Sequence, residues 1–131
     1  MAAIYFTITG TSYRHGQEFF EKDMIVGLVK EPDNEFDKEA VRVELPGLGH
    51  VGYVANSPRT VLGESYSAGR LYDKIGDRAL GTVMYVLPKG VLCRLQADLT
   101  DPGEEWIDFL SGKDERVDSL SDKKRRKKTN E

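Results

Sequence analysis

Cysteine is nearly absent from this 131-residue chain, and the single Cys93 cannot form an internal disulfide, so the fold needs no oxidising compartment. Histidine is as scarce: His15 and His50 have no metal-ligand spacing to each other or to Cys93, so no zinc site assembles from these residues and no metal or other cofactor is expected. Long apolar runs are also lacking, since Val83-Met84-Tyr85-Val86-Leu87 is too short to span a bilayer. The opening Met1-Ala2-Ala3-Ile4-Tyr5-Phe6-Thr7 has no basic lead-in and does not read as a signal peptide, which makes a cytoplasmic protein the expectation. No phosphate-cradling glycine motif and no Gly-x-Ser-x-Gly elbow occur. Cys93 falls on the inward face of a strand pattern, where a thiol is core and not nucleophile. The residues therefore point to a binding module and not to an enzyme.

What is present begins with charge. Residues 121–131 carry Lys123, Lys124, Arg125, Arg126, Lys127 and Lys128 against two acids, a net +4, which leaves positions 1–120 at net -7. An acidic body argues against broad, sequence-blind adhesion to duplex DNA. The basic run suits electrostatic contact with nucleic acid, as a nuclear signal in a eukaryote or a tether in a bacterium, or simply a solvated end.

Ile4, Phe6 and Ile8 alternate with Tyr5, Thr7 and Thr9, predicting a first strand. Further strands are expected at Met24–Val29, Ala40–Leu45, Val51–Val54, Arg78–Leu87 and Val91–Leu99, the last with Val91, Cys93, Leu95, Ala97 and Leu99 facing in. Pro46-Gly47-Leu48-Gly49-His50 suits a hairpin turn. Ser57 and Pro58 are cap and first-position signals for a short helix to Leu62, and Ala68–Ile75 predicts a second helix capped by Gly76. Glu104–Leu110 predicts a third, with Trp106, Phe109 and Leu110 on the packed face. The fold class is mainly β: a small barrel of about six strands with two or three short helices, one domain over residues 1–111, and a disordered basic tail over 112–131.

Glu31-Pro32-Asp33-Asn34-Glu35-Phe36-Asp37 is the unusual segment. Proline ends the strand and the Asx residues cap a turn. Phe36, a large ring among acids, either plugs the barrel or awaits a flat partner, and the residues alone favour the plug. Asp37 can accept from hydroxyls or from its own backbone.

Glu31-Pro32, Asn34, Phe36, Asp37, Ala40-Val41 and Val43, followed by Val51-Gly52-Tyr53-Val54 and preceded by Gly10, Tyr13 and Gly16, resemble the pattern of the HIRAN domain family. The resemblance spans roughly Ile4 to Leu99. It implies a barrel of the OB or SH3 type, found in SWI/SNF-related helicases and in short stand-alone proteins of bacteria and mobile elements. It further implies capture of the 3′ end of single-stranded DNA, a role linked to stalled forks and DNA repair. Carried onto matching positions, Phe36 would stack on a terminal base, Asp37 would accept the 3′-hydroxyl, Asn34 would bond a base edge and Tyr13 would supply a second aromatic wall. The family's eukaryotic pattern has a basic residue directly before that aromatic. This chain has Ser12 there and Arg14 after it, so Arg14 is the substitute for backbone contact. His50 and Tyr53, beside the matching strand, are further candidates, with core packing or turn satisfaction the alternative for each.

Two rivals remain. One is an acidic protein-interaction module or inhibitor whose face, from Asp98 through Asp118, occupies the groove of a helicase, nuclease or other nucleic-acid enzyme. The other is a weak nuclease using Asp33, Glu35 and Asp37 on a divalent ion, which has no supporting lysine or histidine placed by spacing.

Overall fold

Period-two alternation produces six strands in the computed structural model, which describes residues 3–11, 16–96 and 103–111. They are β1 (Tyr5–Thr9), β2 (Ile25–Lys30), β3 (Val41–Leu45), β4 (Gly49–Val54), β5 (Arg78–Leu87) and β6 (Gly90–Leu95). All neighbours are antiparallel, in the order β1-β4-β3-β2-β5-β6, and β6 returns to β1 to close the barrel. Closure leaves no unpaired sheet edge. Val41, Val43 and Leu45 face inward on β3, and Val91, Cys93 and Leu95 on β6, while Arg42, Glu44 and Arg94 lie on the outer surface. Burial pushes the Cys93 thiol pKa up, consistent with a core role. The expected inward positions Ala97 and Leu99 lie outside the described residues.

The β3–β4 turn is the expected hairpin, with Gly47 and Gly49 at φ of 81° and 70°. Thr7 was expected on the outer face of β1 but is fully buried, because the segment after β4 folds over it. Its hydroxyl meets Ser65 Oγ at 2.9 Å and accepts from Leu62 N at 3.1 Å.

That same segment overturns the helix expected from Ser57 to Leu62. Val61 N donates to Ser57 O, closing a single turn that does not continue into a helix. Leu62 N goes to Thr7 and Gly63 adopts φ 53°, so long-range bonds divert a chain whose local capping signals favour helix. The second expected helix is present but shorter, α1 (Ala68–Tyr72), capped by Ser67 at its start and by Asp73, not Gly76, at its end.

α2 (Glu104–Leu110) has the expected bounds. Trp106 and Phe109 are buried, whereas Leu110 is exposed, so the packed face is narrower than the spacing predicts. The two rings sit on β2 at Gly27, where a Cβ would lie 2.6 Å from Phe109 Cε2 and 2.8 Å from Trp106 Cη2. Gly27→Ala is accordingly expected to push α2 off the barrel and to cost about 1–3 kcal/mol, the usual range for overpacking. Denaturant unfolding checks the cost, and emission from Trp106, the sole tryptophan, should shift to the red as the ring gains water.

Candidate nucleic-acid interface

The loop between β2 and β3 begins and ends on one bond, Glu31 N to Ala40 O at 2.9 Å, which extends the strand ladder past Lys30 and Val41. Two turns lie inside it, closed by Asn34 N to Glu31 O at 3.0 Å and by Ala40 N to Asp37 O at 3.1 Å. Between them Asn34 Oδ1 accepts from Phe36 N at 2.8 Å and Asp37 N at 2.9 Å, and Asp37 Oδ1 accepts from Glu39 N at 2.9 Å. Asx side chains thus shape the backbone here, as their residue types predict.

Phe36 stands at the apex and is 96% exposed. It does not plug the barrel: the interior is already filled by Phe6, Ile8, Leu28, Val41, Val43, Val51, Val83 and Val91, and the Asn34 turn holds Phe36 away from it. A single exposed apolar side chain is common on protein surfaces. The backbone under this one is fixed by side-chain acceptors, so the ring is offered to a flat partner with little ordering left to do.

Asp37 ties the loop to the rest of the molecule. Its Oδ2 accepts from Asn56 Nδ2 at 2.8 Å, and Asn56 Oδ1 accepts from Gly69 N of α1 at 2.8 Å. Each carboxylate oxygen therefore has one protein donor and keeps acceptor capacity for an incoming hydroxyl.

Below the loop, on the outer face of β3 and β4, Glu31 collects three donors. Tyr53 Oη donates to Oε1 at 2.9 Å, Asn34 Nδ2 to the same oxygen at 3.0 Å, and Arg42 Nη1 to Oε2 at 3.2 Å. Arg42 also pairs with Glu44, Nε to Oε2 at 2.7 Å, and the Tyr53 ring meets His50 edge-on at 4.6 Å. Burial alone would raise the Glu31 pKa. The hydrogen bonds from Asn34 and Tyr53, with the charges of Arg42 and His50, outweigh it and hold the carboxyl below the ordinary value of 4.5.

A depressed folded-state pKa means that ionised Glu31 adds stability above the unfolded glutamate range, and that this stability is lost as pH falls through the folded value. Glu31→Gln should therefore be less stable than the parent at neutral pH, with the gap closing as pH falls below the ordinary glutamate value of 4.5 and through the depressed folded one. Urea midpoints of both proteins across that range check it.

These contacts refine the expected site. Asn34 Oδ1 already serves two backbone amides, so only one Nδ2–H is left for a base edge. The Tyr53 hydroxyl is committed to Glu31, which makes Tyr53 a support for the loop. Tyr13, Arg14 and the tail cations Lys123, Lys124, Arg125, Arg126, Lys127 and Lys128 lie outside the described residues. Among the described residues no group of three or more His, Cys, Asp or Glu side chains is arranged to hold a metal ion, so Asp33, Glu35 and Asp37 do not converge. No helix among them is long and apolar enough to cross a membrane. Sequence reasoning missed Asn56, Arg42 and a Tyr66–Arg70 pair flanking the loop. The i, i+4 spacing of that pair at a helix start was the available signal.

A sequence model of the HIRAN domain matches residues 1–100, and the chain belongs to that family, a family of nucleic-acid-binding domains. No curated protein and no solved structure matches it.

Proposed function

We propose that this domain captures the 3′ end of single-stranded DNA, without catalysis of its own, and presents that end to a nucleic-acid enzyme such as a helicase or nuclease. The observation that carries the reading is the pairing of an almost fully exposed Phe36 with the adjacent, anchored carboxylate of Asp37. A base stacking on Phe36 would bring its own sugar beside Asp37, where a hydroxyl can donate. The surrounding acids, Glu31, Asp33, Glu35 and Glu39, disfavour a phosphorylated terminus at the same place. Stacking tolerates any base, so affinity for an end needs little base-specific contact.

Competition between a linear and a covalently closed circular single strand of the same sequence tests this. The linear form should displace a labelled oligonucleotide at far lower concentration, and equal competition would remove end capture. The protein-interaction reading draws on α2, where Glu104, Glu105, Ile107, Asp108 and Leu110 are all exposed. Failure of both strands to bind, with stable binding to a nucleic-acid enzyme, would favour it.

A further inference from the structure

We infer that the cleft beside the loop carries the backbone of the captured strand, with Arg70 holding the phosphodiester next to the terminal nucleoside; the inference rests on the end-capture reading. The cleft has a volume of about 740 Å³ and runs between the segment after β4 and α1. It opens directly beside Asp37, because Asn56, which lines it, is the residue bonded to the Asp37 carboxylate. The other bond of Asn56 goes to Gly69, the residue before Arg70. A strand whose terminal sugar lies at Asp37 therefore has its next linkage within reach of Arg70.

Arg70 is prepared for that linkage. Its guanidinium carbon lies 4.0 Å from the ring centre of Tyr66, so the side chain is stacked on an aromatic floor. The floor is itself anchored, since Tyr66 N donates to Tyr5 O at 2.7 Å and Tyr66 bridges to Phe6 of β1. Among the described residues Arg70 has no carboxylate partner, and its guanidinium N–H groups are not taken up by the protein. A stacked guanidinium keeps these donors in its plane, the geometry that meets two phosphate oxygens.

Two hydroxyls add to it. Ser57 Oγ accepts from Arg59 N at 3.2 Å and Ser67 Oγ from Arg70 N at 3.3 Å, which leaves each O–H free to donate into the cleft. The backbone amides at the start of α1 contribute nothing, because Ala68 N, Gly69 N and Arg70 N already have acceptors. Glu64 on the cleft wall and Glu39 over Gly69 make the place unsuited to a dianion, and a phosphodiester bears one charge.

The test uses the full chain, a ten-residue oligothymidylate with a 3′-hydroxyl, the same oligonucleotide ending in 3′-phosphate, and a third whose last linkage is an uncharged methylphosphonate. Arg70→Gln should bind the first roughly tenfold more weakly. It should also lower the slope of log affinity against log salt by about 0.7, the value for one phosphate contact on a single strand. Preference for the hydroxyl end over the phosphate end should stay as in the parent, and the thermal midpoint should not move. The methylphosphonate should weaken the parent by a similar factor and Arg70→Gln hardly at all, while Arg70→Lys should restore the salt slope.

Unchanged affinity and slope in Arg70→Gln, with end preference intact, would overturn the cleft assignment and leave end capture standing. Losses from the variant and the methylphosphonate that simply multiply would also overturn it. A parent protein with no end preference would remove both.

Discussion

Phe36→Ala is expected to weaken binding of a short 3′-hydroxyl single strand by roughly 10- to 100-fold, the loss that follows from one base–aromatic stack of about 1–3 kcal/mol. The thermal midpoint should stay within the error of the measurement. With 96% of the residue exposed, the fold buries almost nothing of the ring, and its backbone amide bond to Asn34 survives the truncation. Phe36→Trp should bind at least as well as the parent, because a larger flat surface is offered from the same backbone. Anisotropy titrations alongside thermal melts check the set. A variant that lost stability together with affinity would show that the ring supports the fold and is not a platform for a ligand.

Asp37→Ala should have an effect of similar size for a different reason. A hydrogen bond to an ionised acceptor is worth about 1.5–3 kcal/mol, so affinity for the hydroxyl end should fall roughly tenfold or more. Discrimination against a phosphate end should shrink, since the hydroxyl's acceptor and the nearest repelling carboxylate have gone while Glu31, Asp33, Glu35 and Glu39 remain. The same change frees Glu39 N and Asn56, so some of the loss belongs to a loosened loop. Asn56→Ala separates the two contributions: it releases the anchor but keeps the carboxylate, and should weaken both ends alike while preserving their ratio. An Asn56→Ala variant that lost as much end preference as Asp37→Ala would show that loop position, and not the carboxylate, does the selecting.

How far the sequence led depended on whether local or distant contacts decided each element. Arg78–Leu87 and Glu104–Leu110 have the bounds that periodicity predicts, since both patterns meet a core on one face. Ser57-Pro58 carries helix-start signals, but the bond from Leu62 to Thr7 spans 55 positions and no local pattern encodes it. Phe36 was the sharper lesson. An apolar ring in a loop is read by default as buried, and only the filled barrel interior with the Asn34 turn holds it in solvent. The motif residues Glu31, Asn34, Asp37 and Tyr53 were all visible, yet their bonds reassign the work. Glu31, Asn34 and Tyr53 hold the loop, half-buried Asp37 ties it to Asn56, and Phe36 faces outward from it. Arg70 stayed hidden because its role comes from a stack on Tyr66 and from a cleft that neither residue reveals alone.

The most direct measurement is the affinity of the full chain for two oligonucleotides identical except at one terminus, one ending in 3′-hydroxyl and the other in 3′-phosphate, at a fixed salt concentration. A ring that stacks the last base beside an acceptor carboxylate predicts tighter binding of the hydroxyl end by roughly tenfold or more. Equal affinity for the two ends would contradict it.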